Sequence, residues 1–255
     1  MFVEERRKVI LDILKEKKSV SVREMSNVLN VSLPTIRSDL DHLEKEKLLI
    51  RTHGGAVLDV HSNQDYTEQS FETRTKINIE KKQNIASKAI GMIHPKDCII
   101  LDSSSTSYGL AKLLRNTKEN ITVLTNGINI ASLLKENLNL TVIIIGGILS
   151  GKSNAVQGLL GQEILDKMNV DKVFFSAYGV SIEHGFSDFN LYESELKRRM
   201  LNSSFKKIAL MDSTKMNKYS SSSFAKLSDV SMIITDNDID PSILKEYSQY
   251  VNIVV

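Results

Sequence analysis

The sequence contains one cysteine in 255 residues, so a disulfide within the chain is impossible. That residue, Cys98, lies in the apolar run Cys98–Leu101. We expect a buried core thiol there, because a reactive cysteine needs a basic, exposed setting. No apolar run approaches the roughly 18 residues that a membrane-spanning helix needs, and no signal peptide opens the chain. These absences predict a cytoplasmic globular protein of one or two domains, without a membrane partner.

Net charge is small as well, because 33 Lys and Arg residues oppose 31 Asp and Glu residues. Residues 1–57 contain 11 basic and 9 acidic side chains, so the whole excess of +2 lies in this part. An excess of +2 is a weak footprint for nucleic-acid binding, but it favours the N-terminal part as the place to expect it.

A helix that begins near Ser32 is the strongest pattern in this part. Ser32 is a good N-cap, and Pro34 falls in the first turn, where a missing N–H costs little. Three- and four-residue spacing predicts one apolar stripe, formed by Leu33, Ile36, Leu40 and Leu43. Polar side chains lie off this stripe, as on a helix that enters a DNA groove: Thr35, Arg37, Ser38, Asp41 and His42. An ordinary amphipathic core helix would show the same spacing.

The neighbouring segments favour the DNA-binding interpretation. Helical spacing covers Val3–Glu16, and Ser21–Glu24 fits a capping box that opens a second helix. Two apolar triplets, Leu48–Ile50 and Ala56–Leu58, flank a polar turn that contains glycine, as in a hairpin. Residues 1–57 therefore predict a winged helix-turn-helix. The face that contacts the DNA backbone would consist of Arg6, Arg7, Lys8, Arg37, Arg51 and His53. The alternative is that these residues form only a solvated surface of mixed charge.

The periodicity of the sequence changes after the predicted hairpin of the winged helix-turn-helix. Residues 58–70 are polar without periodicity and predict a linker, and residues 71–255 alternate between strand and helix patterns. The expected strands are Cys98–Leu101, Ile121–Leu124, Val142–Ile145, Val173–Phe175, Ile208–Met211 and Met232–Ile234. The expected helices between or beside them are Tyr108–Leu114, Ile128–Lys135, Leu159–Met168, Leu191–Phe205 and Ser242–Tyr250. This alternation predicts an α/β domain with a mainly parallel sheet.

Polar and small residues follow most of the expected strands, where open α/β sheets bind ligands. The Ser103–Ser107 loop opens a helix, so its N–H groups and hydroxyls are suited to a phosphate. Lys215 adds a positive charge for an anionic ligand. Acceptors for sugar hydroxyls would be Asp102, Asn126, Asp188 and Glu193. The competing interpretation is a set of ordinary strand-to-helix turns.

One motif favours a different class of protein. Gly146–Ser153 matches the phosphate-binding loop of nucleotide hydrolases, G-x-x-x-x-G-K-[ST], and follows an expected strand. The helix that should start at Lys152 would, however, contain Gly158 and Gly161, which weaken a helix. Nucleotide hydrolysis is therefore kept only as an alternative.

The N-terminal motifs resemble those of the DeoR family of bacterial transcription regulators. The similarity rests on Glu5–Arg7, on Ser32–Leu40 and on Arg51–Ala56. Ser38 departs from the pattern, since many members carry a second basic residue there. The resemblance implies a sequence-specific regulator, most often a repressor controlled by a phosphorylated sugar, that binds a double-stranded DNA operator as a dimer or tetramer. The DNA-binding residues expected are Arg6, Ser21, Ser32, Pro34, Thr35, Arg37, Ser38, Arg51 and His53.

The resemblance continues through residues 101–215 and implies an effector domain similar in fold to ribose-5-phosphate isomerase. Ser104, Ser105 and Thr106 match the loop expected to hold the phosphate. The other effector-binding residues expected are Asp102, Thr125, Asn126, Gly146, Gly147, Gly179, Asp188, Glu193 and Lys215. Ser181 stands where many relatives have aspartate, and serine without a partner is a poor general base. We therefore expect binding without turnover, no cofactor and no metal, with a sugar-phosphate isomerase as the competing class.

Overall fold

The computed structural model describes residues 3–17, 19–45, 48–52, 54–57, 70–149 and 154–255. The chain divides into two compact units, Met1–Asp65 and Tyr66–Val255. This division falls within the predicted linker 58–70, of which residues 58–69 lie outside the described residues, so the linker's bounds stay a prediction. No helix in the described ranges is long and apolar enough to cross a membrane.

The N-terminal unit is a winged helix-turn-helix, as the sequence predicts. Its helices are α1 (Val3–Lys17), α2 (Val22–Leu29) and α3 (Leu33–Lys45). Its strands are β1 (Ser19–Ser21), β2 (Ile50–Thr52) and β3 (Gly55–Val57), paired antiparallel in the order β1-β3-β2. The third strand, β1, has no counterpart in the sequence prediction.

Local chemistry explains how the second helix begins and ends. Ser21 Oγ accepts a hydrogen bond from Glu24 N at 3.1 Å, which caps α2. The Glu24 carboxylate accepts a hydrogen bond from Lys17 Nζ at 2.5 Å. Of the predicted capping box, the structure therefore shows the bond to the serine hydroxyl, while the glutamate side chain pairs with Lys17. Asn30 ends the helix in the left-handed region, with φ of 51°. The turn that follows leads directly into α3.

The core of this unit is made by one face of each helix. Ile36 and Leu40 of α3 are fully buried with Ile10 of α1 and Met25 of α2. Leu33, expected on the same stripe, is 37% exposed because it lies at the helix start, beyond the packed region.

A glycine is required where the wing meets β1. A Cβ atom on Gly55 would lie 1.9 Å from Val20 O, so only glycine fits this strand pair.

The C-terminal unit contains the predicted parallel sheet, with seven strands in the order β15-β14-β12-β9-β4-β5-β6. These strands are β4 (Cys98–Leu101), β5 (Ile121–Thr125), β6 (Leu140–Ile144), β9 (Val170–Phe175), β12 (Ser204–Leu210), β14 (Met232–Ile234) and β15 (Ile253–Val254). The helices are α4 (Phe71–Lys76), α5 (Ile79–Ile90), α6 (Ser105–Leu114), α7 (Ile128–Leu134), α8 (Glu163–Lys167), α9 (Leu191–Asn202) and α10 (Pro241–Tyr247).

Two small antiparallel sheets lie outside the sequence prediction. One pairs β7 (Ile148–Leu149) with β8 (Val156–Gln157). The other pairs β10 (Gly179–Ser181), β11 (Gly185–Asp188) and β13 (Ser222–Ala225). The expected helices at 159–168 and 191–205 are shorter in the structure, and the second ends at Asn202 because β12 begins at Ser204.

The sheet is buried on both faces, which explains why its strands read as continuous apolar runs. Alternate residues of β4 and β9 enter two separate cores: Ile100 and Val173 face one, and Leu101 and Phe174 face the other. Cys98, expected in the core, is only half-buried at the strand start. Burial, with Asp171 and Asp97 nearby, raises the pKa of its thiol, and this direction agrees with the expectation of an unreactive cysteine.

Candidate functional site

The outer face of α3 forms an open groove of about 460 Å³. Spacing of three and four residues brings its lining to one side of the helix, and Arg7 of α1 completes it. The α3 residues that line it are Pro34, Arg37, Ser38, Asp41, His42 and Lys45. Three of the predicted DNA-binding residues, Pro34, Arg37 and Ser38, thus share one exposed surface with further cationic groups.

The start of α3 is held by two hydroxyls. Ser32 Oγ and Thr35 Oγ1 share a hydrogen bond of 2.8 Å, and Thr35 N donates to Ser32 Oγ at 3.4 Å. Ser32 therefore caps the helix and stays exposed. Ser21 has the equivalent position at the start of α2, where it is also exposed.

Arg6 does not lie on this surface, and the expectation that it contacts DNA is not supported. Its guanidinium is buried against the Asp39 carboxylate, with Nε 2.5 Å and Nη2 3.2 Å from the two oxygens. Arg7 Nε donates to the same carboxylate at 3.1 Å. Asp39 is itself 2% exposed, so this cluster joins α1 to α3 and neutralises a buried charge.

Arg51 anchors the wing to α3. Its Nε donates to Asp41 Oδ1 at 3.0 Å, and its Nη1 donates to Gly55 O at 2.7 Å. Its backbone N donates to Glu44 Oε1 at 3.1 Å. Arg51 therefore positions the hairpin, while His53, predicted at the wing tip, lies outside the described residues.

In the C-terminal unit, the carboxyl ends of β4 and β9 meet at a buried network centred on Asp102. Its Oδ1 accepts from Ser104 Oγ at 2.6 Å and from Ser107 Oγ. Its Oδ2 accepts from Ser176 N at 3.0 Å and lies 3.3 Å from Lys197 Nζ. Both oxygens are engaged within the protein, so Asp102 organises the strand ends rather than accepting from a ligand as expected.

Lys197 of α9 is the cation of this network, although the sequence pattern suggests an exposed helical face. Its Nζ donates to Ser176 O and to Asp188 Oδ2, both at 2.7 Å. Burial lowers the pKa of Lys197, but the Asp188, Asp102 and Glu193 carboxylates outweigh it and raise the pKa above its ordinary value. Lys197 therefore stays charged, and Asp188 is its ion-pair partner.

Lys215 lies next to this network without a carboxylate partner. Its Nζ donates to Ser176 Oγ and to Ala177 O, both at 2.8 Å, and it forms no ion pair with any described residue. Burial lowers the pKa of Lys215 and the nearby Lys197 adds to this effect, against the opposing charges of Asp212, Asp188 and Asp102. Such a desolvated cation is suited to bind an anion.

The Ser103–Ser107 loop opens α6 as predicted. Ser104 Oγ accepts from Ser107 N at 3.1 Å, so Ser104 is the N-cap of a ten-residue helix. Ser105 is buried, and the fully buried Thr106 Oγ1 has no hydrogen-bond partner. A buried polar atom without a partner is rare in proteins and indicates a place where a ligand or water binds.

A second atom of this kind belongs to Asn126 at the end of β5. Its Nδ2 donates to Val156 O at 2.9 Å and to Ser103 Oγ at 3.3 Å, while its buried Oδ1 has no partner. The neighbouring Thr125 has a structural role, because its Oγ1 accepts from Gly127 N at 3.0 Å. Asn126 therefore remains a ligand candidate and Thr125 supports the turn.

Glu193, an expected site residue, is hydrogen-bonded to a chain of two polar side chains that the sequence did not predict, Gln157 and Asn190. Gln157 Nε2 donates to Glu193 Oε1 at 3.0 Å, and Asn190 Nδ2 donates to Gln157 Oε1 at 3.2 Å. Burial raises the pKa of Glu193 even though Lys197 opposes the shift. Gln157 lies on strand β8, and Asn190 is the N-cap of α9; neither was predicted as a site residue from the sequence.

The three predicted glycines allow close backbone contacts. A Cβ on Gly147, where φ is 155°, would lie 2.4 Å from Gln157 O, and Gly146 packs directly on Gly161. A Cβ on Gly179 would lie 2.5 Å from Lys218 O. These positions shape the strand ends and need not touch a ligand.

The nucleotide-hydrolase hypothesis fails on local structure. Lys152 and Ser153 lie outside the described residues, but the chain beyond them enters strand β8 instead of the helix that a phosphate-binding loop requires. The flanking Gly146-Gly147 pair is explained by backbone packing.

The chain is similar to known transcriptional regulators over most of its length. Residues 6–61 match the DeoR-like helix-turn-helix domain, and residues 77–237 match the DeoR C-terminal sensor domain. The HTH-type transcriptional regulator GolR of Listeria innocua is 39% identical over 97% of this chain and 96% of its own. The lactose phosphotransferase system repressor of Lactococcus lactis is 32% identical, over 96% and 95%. Ribose 5-phosphate isomerase A of Methanocaldococcus jannaschii superposes with a TM-score of 0.42 over 55% of each chain, at 14% identity.

Proposed function

Because the chain belongs to the DeoR family and is a transcriptional regulator, not an enzyme, we propose that it represses genes of sugar metabolism. In this proposal α3 binds an operator in double-stranded DNA. A phosphorylated sugar binds at the strand ends of the C-terminal unit and lowers the affinity for that operator. The similarity to the lactose phosphotransferase system repressor of Lactococcus lactis supports repression as the sign of regulation and sugar metabolism as the target.

One observation carries the ligand proposal. Lys215 is a partly buried cation without a carboxylate partner among the described residues, and it is linked through Ser176 and Asp102 to the loop that opens α6. That loop contributes backbone N–H groups at a positive helix end and the unpartnered Thr106 Oγ1. In this proposal a phosphate supplies the negative charge and the acceptors that this arrangement lacks, and Asn126 and Glu193 bind hydroxyls of the sugar.

The DNA proposal rests on the groove of α3. Arg37 and Lys45 supply positive charge, while Ser38 and Pro34 present small groups near the helix start. Two such helices in a homo-oligomer would read half-sites about one helical turn apart, or a multiple of it.

A two-step binding experiment tests the proposal. Thermal shift of the full-length protein against a panel of phosphorylated sugars and their unphosphorylated forms identifies the ligand, since a ligand of the native state raises its stability. Fluorescence anisotropy with duplex DNA selected from a random pool then measures operator affinity with and without that ligand. We expect a phosphorylated sugar to stabilise the protein and to weaken DNA binding. Stronger DNA binding with ligand would reject repression relieved by ligand, and a protein stabilised only by unphosphorylated sugars would reject the phosphate site.

A further inference from the structure

The junction of α4 and α5, which we call the elbow (Ile77–Asn78), packs against the turn that carries Lys215. Asn78 has φ of 53°, in the left-handed region, which lets the chain change direction between the two helices. Asn78 Nδ2 donates to Asp212 Oδ1 at 3.3 Å and to Thr214 Oγ1 at 3.2 Å. These bonds fix the end of α4 beside the proposed ligand site.

Lys82 holds the elbow from α5. It is buried, and its Nζ donates to Arg74 O at 2.5 Å and to Ile77 O at 2.7 Å, the carbonyls at the end of α4. Burial, and then the charge of Lys215, lowers the pKa of Lys82 to about 8. Lys82 makes no ion pair with a carboxylate among the described residues, so it adds a second incompletely neutralised cation near Lys215.

Arg74 is the third cation, and it has a buried N–H group without a hydrogen-bond acceptor. Its Nε is buried without a hydrogen-bond partner, and its guanidinium makes no ion pair with any described residue. The guanidinium lies 5.9 Å from the Phe71 ring, which packs edge-on against Tyr108 of α6. Its positive charge also lowers the pKa of Glu193 on α9 slightly, against the larger effect of burial. Arg74 is thereby placed between α6 and α9, on the side of the strand ends.

Around Arg74, Lys82 and Lys215, the cations outnumber the carboxylates that have no ion pair among the described residues. Asp102 and Asp188 are paired with Lys197, which leaves Asp212 and Glu193, whose pKa burial raises. Arg74, Lys82 and Lys215 make no ion pair with a described carboxylate. Asp212, which opposes the charges of Lys82 and Lys215, already accepts from Asn78 and from Thr214 through its Oδ1. An arginine binds a phosphate through two parallel N–H bonds, and a buried Nε left without an acceptor costs free energy.

We propose that Arg74 binds the charged group of the ligand through its Nε and a terminal nitrogen, opposite Lys215, and that Lys82 positions Arg74 by holding the end of α4. This inference rests on the proposed function, because it assigns the anion of that same ligand. The ligand class it requires is a phosphate monoester or an equally compact dianion.

The test uses the full-length protein with inorganic phosphate, and with any phosphorylated sugar that stabilises it in the thermal-shift panel. Arg74→Gln should weaken phosphate binding by about tenfold or more, since it removes a bidentate charged hydrogen bond. Arg74→Lys should recover only part of the loss because a lysine lacks the planar fork.

Arg199→Gln is the matched control. Arg199 also has a buried Nε without a partner, but its Nη2 is 2.7 Å from Asp166, so it is already paired. This variant should bind phosphate as the wild type does. Circular dichroism of each variant separates loss of binding from loss of folding.

Lys82 is tested as a positioning residue through the pH dependence of binding. Lys82→Met should weaken phosphate binding and abolish the part of the affinity loss that occurs as pH rises through about 8. A folded Arg74→Gln variant that binds phosphate with wild-type affinity overturns the inference and leaves the proposed function intact. Wild-type protein that binds neither phosphate nor any phosphorylated sugar rejects both.

Discussion

Lys197 Nζ donates to Asp188 Oδ2 at 2.7 Å and lies 3.3 Å from Asp102 Oδ2, so one buried lysine neutralises two carboxylates from different strands. Lys197→Met should therefore leave the buried Asp102 and the partly buried Asp188 without a cationic partner and lower the free energy of unfolding by about 3–5 kcal/mol. Chemical denaturation measures this change. Lys206→Met, at an exposed position of β12, is the control and should stay within about 0.5 kcal/mol of wild type. Equal stabilities of the two variants would refute the central role of Lys197.

The same residue illustrates how far sequence patterns reach. Glu193 and Lys197 are four residues apart, which is the spacing of an ordinary surface ion pair. Helical spacing predicts which side chains share a face, but it does not tell which face is covered by a neighbouring strand. The strands themselves were predictable, because residues such as Ile100 and Leu101 are buried on opposite faces of one parallel sheet and so form continuous apolar runs.

The residues of the candidate site differ in how strongly the sequence points to them. Asn126 and Lys215 come directly after strand patterns, whose carboxyl ends share one edge of the sheet. Arg74 belongs to a six-residue helix without a motif, and Gln157 belongs to a two-residue strand, and neither has a local signal. Their positions depend on long-range packing, which a single sequence does not show.

Replacing Arg37 should separate DNA binding from stability. Arg37 lines the α3 groove and is exposed, so Arg37→Ala should weaken operator binding and reduce the dependence of log affinity on log salt by about 1 if it contacts a phosphate. Anisotropy titrations at several salt concentrations measure both quantities. Normal operator binding by Arg37→Ala would remove α3 as the recognition helix.

Arg6 should show the opposite behaviour. Arg6→Ala removes both Arg6 contacts to the buried Asp39 carboxylate, at 2.5 and 3.2 Å, and leaves the 3.1 Å contact with Arg7, so we expect a loss of about 2 kcal/mol in unfolding free energy. Operator affinity per folded molecule should change little, and the salt dependence should stay that of wild type. A reduced salt dependence without destabilisation would instead place Arg6 on the DNA.

Removing Lys215 should uncouple the ligand from DNA. Lys215→Ala removes the partly buried cation and leaves the residues of α3 unchanged, so operator binding should persist while the response to phosphorylated sugar is lost. Ser105→Ala, at the helix start, should weaken the response in the same direction. Lys245→Ala, an exposed lysine on α10, serves as the control and should respond normally. A full ligand response by Lys215→Ala would rule out its role in the site.

The lowered pKa of Lys82 gives a pH dependence whose sign is fixed. Its pKa is about 8 in the folded protein and 10.5 in the unfolded chain, mainly because burial disfavours the charged form. Between these values the unfolded chain binds a proton that the native state has lost, so this residue makes the free energy of unfolding rise with pH across that window. Below pH about 8 both states are protonated, and the cost of burying the charge is constant.

Denaturation of ligand-free protein from pH 7.5 to 10.5 should thus show a rise in the free energy of unfolding that is smaller in Lys82→Met. Lys76→Met, exposed on α4, should keep the wild-type slope. Identical slopes in all three proteins would mean that Lys82 keeps an ordinary pKa and that its surroundings are not short of negative charge.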